Sequence, residues 1–276
     1  MRDLWVVFRK NKIAIVGLFI AIVIILMAIL SPFIAPYDPL LQNISDRLSA
    51  PQAKYLLGTD DFGRDILSRI IYGSQASLLI GVLAIALAVI FGTLLGIFAG
   101  FKGGKLETAI MRGADVLMSF PSLILGLFVM AILGTGLIKV ILAIGFVFLP
   151  RVIRVAHGPT LSIKEREFID AARAMGLSNW RIVIKHILPN VFGELLVMGT
   201  LWIGTAIRIE ASLSFLGLGV PPPTPTWGNM IKQGLDFLAN APWISISAGI
   251  AVLVTILAFN MLGDGVRDIT DPKLQQ

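Results

Sequence analysis

Four long stretches of this chain carry no charge at all: 13–37, 70–101, 116–138 and 237–263. Nothing else in the sequence constrains the fold as tightly. About 20 apolar residues in helical form cross the hydrocarbon core of a bilayer. Inside that core only helices and closed barrels satisfy every backbone N–H and C=O. The composition agrees, with 56% hydrophobic and 14% charged residues, against about a quarter charged in a soluble domain. So little charge with so much apolar surface also excludes a disordered chain. There is no cysteine, which removes disulfides, thiolate metal sites and a cysteine nucleophile together.

The hydropathy pattern predicts an all-α integral membrane protein with six spans. The first, 13–35, follows Arg9, Lys10 and Lys12. Its apolar run is longer than a signal-peptide core, and Pro36 directly follows Ala35, the small residue a cleavage site would need, so an uncleaved anchor is expected. Further spans are expected at 78–101, at 116–138 with Pro121 near its start, and at 137–155 with Lys139 and Arg151 near its ends. Such long side chains snorkel to the headgroups. A fifth is expected at 191–209 with Glu194 in its first turn, and a sixth at 237–263 with Trp243 at the interface.

Orientation follows from the cations. With the N-terminus in the cytoplasm, 16 of the 23 Lys and Arg lie inside. These are Arg2, Arg9, Lys10, Lys12, Lys102, Lys105, Arg112, Arg151, Arg154, Lys164, Arg166, Arg173, Arg181, Lys185, Arg267 and Lys273. Arg47, Lys54, Arg64, Arg69, Lys139, Arg208 and Lys232 fall outside. The positive-inside rule is met, with both termini cytoplasmic. The net charge of +6 is thereby accounted for without a nucleic-acid partner. The chain divides into a cytoplasmic N-terminus at 1–12, the anchor at 13–35, an outer loop at 36–77, a five-helix core at 78–263 and a cytoplasmic tail at 264–276. The core includes a cytoplasmic loop at 156–190 and an outer loop at 210–242.

Local patterns sharpen this outline. Ala84, Ala88, Gly92, Gly96 and Gly100 recur at spacings of four, a smooth stripe along which another helix can approach closely. In the cytoplasmic loop, Ser162 and Glu165 fit a capping box. Phe168, Ala171, Ala172 and Met175 then share one helical face, opposite Arg166, Asp170 and Arg173. Gly176 stands where a left-handed cap would end that helix. Ser178 is placed to cap a second helix, with Trp180, Val183, Ile184 and Ile187 on its apolar side and Pro189 at its end. Two amphipathic helices joined at a glycine either lie on the membrane surface or enter a groove on a partner.

The segment after Glu210 is uncharged and rich in Gly and Pro. Its run from Pro221 to Pro225 cannot be helix interior, so it is expected outside, after a short apolar helix at 212–218. Glu194, Arg208 and Glu210 lie near span ends, where ionisable groups either pair at the interface or face a cavity. No catalytic or metal-ligating set stands out. Gly103, Gly104 and Lys105 fail the phosphate-loop pattern because position 99 is Ala and position 106 is Leu. The two histidines, His157 and His186, are 29 residues apart and form no recognised metal pair.

The series Asp170-Ala171-Ala172, three residues, Gly176, nine residues and His186-Ile187-Leu188-Pro189 resembles the cytoplasmic signature of ABC importer permeases. That signature reads Glu-Ala-Ala, three residues, Gly, nine residues, Ile-x-Leu-Pro. Here Asp170 replaces Glu and His186 replaces the first Ile. Leu57-Gly58-Thr59-Asp60-Asp61-Phe62-Gly63-Arg64-Asp65 with Ser68-Arg69 is similar to the segment before the second span in the C-type permease of dipeptide and oligopeptide importers. So are Ser119-Phe120-Pro121, the stretch from Ser212 to Val220, Trp227-Gly228-Asn229-Met230, and the ending Ala258-Phe259-Asn260, Gly263-Asp264, Arg267-Asp268.

The resemblance implies a type I ABC importer permease fold in a bacterial or archaeal plasma membrane. It implies assembly with a homologous B-type permease, two ATPase subunits and an extracytoplasmic binding protein, with ATP and magnesium held by the ATPases and no cofactor on this chain. Glu167, Asp170, Ala171, Ala172, Gly176, Leu188 and Pro189 would couple to an ATPase. Glu210, Ser214, Phe215 and Trp227 would belong to the outer gate or pathway. Peptides are the expected solute, with nickel chelates, glutathione or oligosaccharides as alternatives. A stand-alone secondary transporter is the rival from another class.

Overall fold

A computed structural model describes residues 11–270 of the chain. Arg2, Arg9, Lys10, Lys273 and most of the segments 1–12 and 271–276 lie outside the described residues. The regular elements of the described residues are helices, without a named strand. In order it forms α1 (Lys12–Ile29), α2 (Ser31–Ile34), α3 (Ile66–Lys102), α4 (Gly104–Met118), α5 (Ser122–Leu133), α6 (Leu137–Lys164), α7 (Glu167–Ala174), α8 (Asn179–Ile182), α9 (Leu188–Phe215), α10 (Trp227–Leu235) and α11 (Trp243–Thr270).

α1 starts where Asn11 accepts the Ala14 N–H, an N-cap that satisfies one orphan donor. It packs antiparallel to α11: a Cβ on Gly17 would lie 2.6 Å from the Met261 Cβ, and Asn11 Nδ2 donates to Asp268 Oδ2 at 2.8 Å. The two ends of the described chain therefore share one end of the bundle, together with Gly103 and the 165–187 connection. This is called the hairpin end below. The segments 36–65 and 216–242 cover the opposite, strap end.

α3 begins twelve residues before the expected span boundary at 78. Asp65 caps it, accepting both the N–H and the hydroxyl of Ser68. The 66–77 stretch is thus helical, its polar side chains finding protein partners in place of water. At 37 residues and about 1.5 Å per residue, α3 outruns a hydrocarbon core of about 30 Å.

The small-residue stripe of α3 is wholly buried, and its partner is α6 of the same chain, running parallel to it. A Cβ on Gly92 would lie 2.6 Å from the Val152 Cβ, one on Gly96 2.5 Å from the Ile153 carbonyl oxygen, and one on Gly100 3.0 Å from Thr160. Ala84 lies along the same seam, its carbonyl oxygen 3.2 Å from a Cβ placed on Gly145. Gly96→Ala is therefore expected to lower thermal stability by about 1–3 kcal/mol through overpacking. Gly113→Ala in α4, where nothing lies within 4 Å of the added carbon, is expected to leave it unchanged or raise it. Thermal unfolding of the two purified variants reads the difference; equal midpoints would show that the seam relaxes without cost.

The expected third span, 116–138, is not one helix. α4 and α5 meet at a 98° bend, and the apolar helix after it has 12 residues. Pro121 occupies the N-cap of α5 with extended ψ and has no N–H to continue the α4 ladder, while Gly134 closes α5 at φ 78°. The expected fourth span falls inside α6, which continues to Lys164 through Pro150 and Pro159.

By length and composition four helical stretches suffice to cross a membrane: Lys12–Ile29, Ile66–Lys102, Asn179–Phe215 and Trp243–Asp268. The bent α4–α5 pair makes a fifth if counted as one span. The count of six is not reached on those criteria. The apolar 212–218 stretch is no separate helix either, since α9 runs unbroken to Phe215. Trp243 opens α11, and its indole donates to the Thr59 carbonyl at 3.2 Å, so the strap holds a ring that was expected to meet headgroups.

Candidate functional site

At the hairpin end, α6 overruns the expected capping box: Ser162 lies in its last turn and Glu165 is its C-cap. The helix survives this far because its flank is tied at four points. Arg151 donates to Ser122 Oγ at 2.6 Å, Arg154 pairs with Asp115, His157 Nε2 meets Glu107 Oε1 at 2.7 Å, and Lys164 reaches the Gly100 carbonyl. Of the Lys and Arg in the expected 156–190 loop, Lys164 therefore belongs to the polar flank of this helix, with Arg151 and Arg154 of the expected fourth span.

α7 then projects as a short amphipathic helix. Ile169 and Ala172 are buried, while Glu167, Asp170 and Ala171 are exposed. The two alanines thus part company: Ala172 packs against the bundle, and Ala171 is exposed to meet another surface. Gly176 has φ +80°, in the region that L side chains avoid. The Gly176 N–H donates to the Arg173 carbonyl at 2.9 Å and the Leu177 N–H to the Ala172 carbonyl at 3.1 Å, the paired bonds of a Schellman cap. Nothing lies within 4 Å of a Cβ at Gly176, so the backbone, and not crowding inside this chain, requires glycine.

Ser178 holds the N-cap position of α8, although its side chain makes no capping bond. Pro189 does not end the second helix. It sits in the first turn of α9, and a π-turn over Val183–Ile187 absorbs the hydrogen bond that proline cannot donate. Leu188 is half-buried and Pro189 exposed. The result is one continuous helical path over Asn179–Phe215, 37 residues long.

At the far end of that path lie the gate candidates. Ser214 Oγ donates to Glu210 Oε1 at 2.7 Å, and both residues are wholly buried; Glu210 Oε2 has no partner. Trp227 is also wholly buried, its indole donating to the Ile70 carbonyl at 3.0 Å. Two glycines let the proline-rich segment lie directly on α9: a Cβ on Gly219 would be 1.9 Å from Ser214 Oγ, and one on Gly228 2.6 Å from Ser214 Cβ. Glu210, Ser214 and Trp227 therefore form one packed knot joining α3, α9 and α10. Phe215 turns away and is 41% exposed.

Sequence reasoning missed the buried charge cluster of the strap. Asp60, Arg64 and Arg69 are each nearly inaccessible. Asp60 Oδ2 accepts from Arg64 Nε at 2.7 Å and lies 3.4 Å from Arg69 Nε. Arg69 continues to the Pro39 carbonyl and to Gln233, linking strap, α3 and α10. Gly63, at φ +71°, would place a Cβ 1.8 Å from the Asn43 carbonyl oxygen. The i,i+4 spacing of Asp60 and Arg64 and the cap spacing of Asp65 and Ser68 were the legible signals. Nearer the surface, hydrogen bonds from Lys54 and Tyr55 hold the Asp46 carboxyl below its ordinary value. Among the described residues no group of three or more His, Asp or Glu is gathered closely enough to hold a metal ion.

The backbone defines a fold class, shared with a solved membrane transporter. It superposes on an inward-facing structure of the MetNI methionine ABC transporter with a TM-score of 0.59 and 20% identity, covering 74% of this chain and 97% of that one. Residues 92–276 match the family model described as binding-protein-dependent transport system inner membrane component, and residues 1–51 match the N-terminal TM domain of oligopeptide transport permease C. The chain belongs to the family of binding-protein-dependent transport system inner membrane components. Among its relatives, the dipeptide transport system permease protein DppC of Alkalihalophilus pseudofirmus is 43% identical over 99% of this chain and 90% of that one. The oligopeptide transport system permease protein OppC of Bacillus subtilis is 40% identical over 100% of this chain and 90% of that one.

Proposed function

We propose that this chain is the C-type permease subunit of an ATP-driven importer of di- and oligopeptides in the bacterial or archaeal plasma membrane. It pairs with a homologous B-type permease, receives solute from an extracytoplasmic binding protein, and is driven by two ATPase subunits that hold the ATP and magnesium. In this reading the strap end faces outward and the hairpin end, with both termini, faces the cytoplasm. The bent α4–α5 pair and α6 complete six crossings around the hairpin and gate segments.

The observation that carries the reading is the continuity of the Asn179–Phe215 path. One end is an exposed, Schellman-capped hairpin with Glu167, Asp170, Ala171 and Gly176 on its outer surface. The other end is the Glu210–Ser214–Trp227 knot under the proline-rich segment. A push received at the hairpin is carried along a stiff helix of about 55 Å at about 1.5 Å per residue, as a rigid-body displacement of packed elements. Leu188 and Pro189 lie at the joint where hairpin becomes span.

Reconstitution tests this directly. Proteoliposomes holding both permeases and the ATPases are expected to accumulate labelled dipeptide only with ATP inside and binding protein outside. Accumulation by this chain alone under a proton or sodium gradient would instead establish the secondary-transporter reading.

A further inference from the structure

An apolar groove of about 400 Å³ opens between the last turns of α3 and the α8 helix with its π-turn. Leu94, Phe98 and Phe101 form one wall, and Trp180, Val183 and Ile184 the other. Leu94 and Phe98 belong to the uncharged run at 70–101, so that wall is expected at bilayer depth. Trp180, 69% exposed, forms the lip, as an interfacial aromatic does.

Two cations stand on the aromatic rings of the groove. Lys102 Nζ is 5.4 Å from the centre of the Phe98 ring, and the Arg173 guanidinium carbon is 5.8 Å from that of Phe101. Arg173 also contacts Asp170 at 3.2 Å. No carboxylate among the described residues pairs with Lys102. An apolar slot at membrane depth with positive charge at its mouth matches an amphiphile with a hydrocarbon tail and an anionic head. We propose that this groove is a binding site for an anionic phospholipid, one acyl chain lying against Phe98 and Ile184 and the phosphate between Lys102 and Arg173.

Each cation near an anionic headgroup favours it by about fivefold in affinity, so the site discriminates by headgroup and not only by tail. The assembled transporter, with its ATPases, tests this in vesicles. Phospholipids brominated on the acyl chain quench nearby indoles, and subtracting the signal of Trp180→Phe isolates the share of Trp180. Brominated phosphatidylglycerol is expected to half-quench that share at a mole fraction about fivefold or more below brominated phosphatidylethanolamine. Lys102→Gln is expected to shrink the ratio by about fivefold.

Should Trp180→Phe fail to assemble, phosphatidylglycerol retained by the wild-type complex through detergent washing is counted by mass spectrometry, against the same count in Lys102→Gln. Equal quenching by both lipids, or equal retention in both proteins, means bulk lipid only and overturns the site. Absence of Trp180 quenching means that a subunit covers the groove and overturns it equally.

Discussion

Gly176→Leu is expected to reduce ATP-driven uptake at least tenfold while the protein still reaches the membrane in normal amount. Leucine held at φ +80° incurs about 1–3 kcal/mol of backbone strain. The alternative is to release the Schellman bonds to Arg173 and Ala172 and so change the angle at which α7 leaves the bundle. The strain favours that release, which displaces Glu167, Asp170 and Ala171 from the surface they present to a partner. Insertion is expected to be unaffected, because nothing lies within 4 Å of a Cβ at this exposed position. Gly176→Asn separates backbone from bulk, since asparagine tolerates the left-handed region. It is expected to keep more transport than leucine. Normal uptake by the leucine variant, measured beside its membrane abundance, would remove the hairpin from the coupling path.

Asp60→Ala is expected to destabilise the strap end by about 3–5 kcal/mol, the cost of leaving buried charges uncompensated. Asp60 accepts the backbone N–H groups of Phe62 and Arg64 at 2.9 Å and the Arg64 Nε at 2.7 Å. Without it, two buried guanidinium groups face one another with only Asp61, 3.9 Å from Arg64, in reach. Arg64 Nη2 already lacks a hydrogen-bond partner, so the cluster has no reserve. Asp61→Asn is the control. Burial and the charge of Asp60 push the Asp61 carboxyl above its ordinary value, so its ionised form opposes folding and its neutralisation is expected to cost nothing. Thermal unfolding and proteolytic nicking within 36–65 read both variants. Equal stability of the two would show that Asp60 does not hold the strap.

Much of this protein was legible in its sequence. The uncharged runs require membrane helices, because a bilayer interior admits no unsatisfied backbone. The stripe from Ala84 to Gly100 required a close helical neighbour, Gly176 required a left-handed turn, and Pro221 to Pro225 could not be helix. These are local properties, set by a residue's own backbone or by its spacing along a single helix.

What only the tertiary structure decided depends on which polar groups find partners in the fold. The expected span starts at residue 78, yet the helix starts at Ile66, where Arg69 and Ser68 are satisfied by Asp60, Pro39 and Asp65. Ser162 and Glu165 carry a capping pattern, yet α6 runs through it, its polar flank held by Glu107 and Asp115. Pro189 reads as a stop and is instead absorbed by a π-turn that keeps hairpin and span in one piece. In each case a contact between residues distant in sequence, or a shift in the backbone bonding ladder, outweighed the local preference. No reading of residue types in order contains those distances.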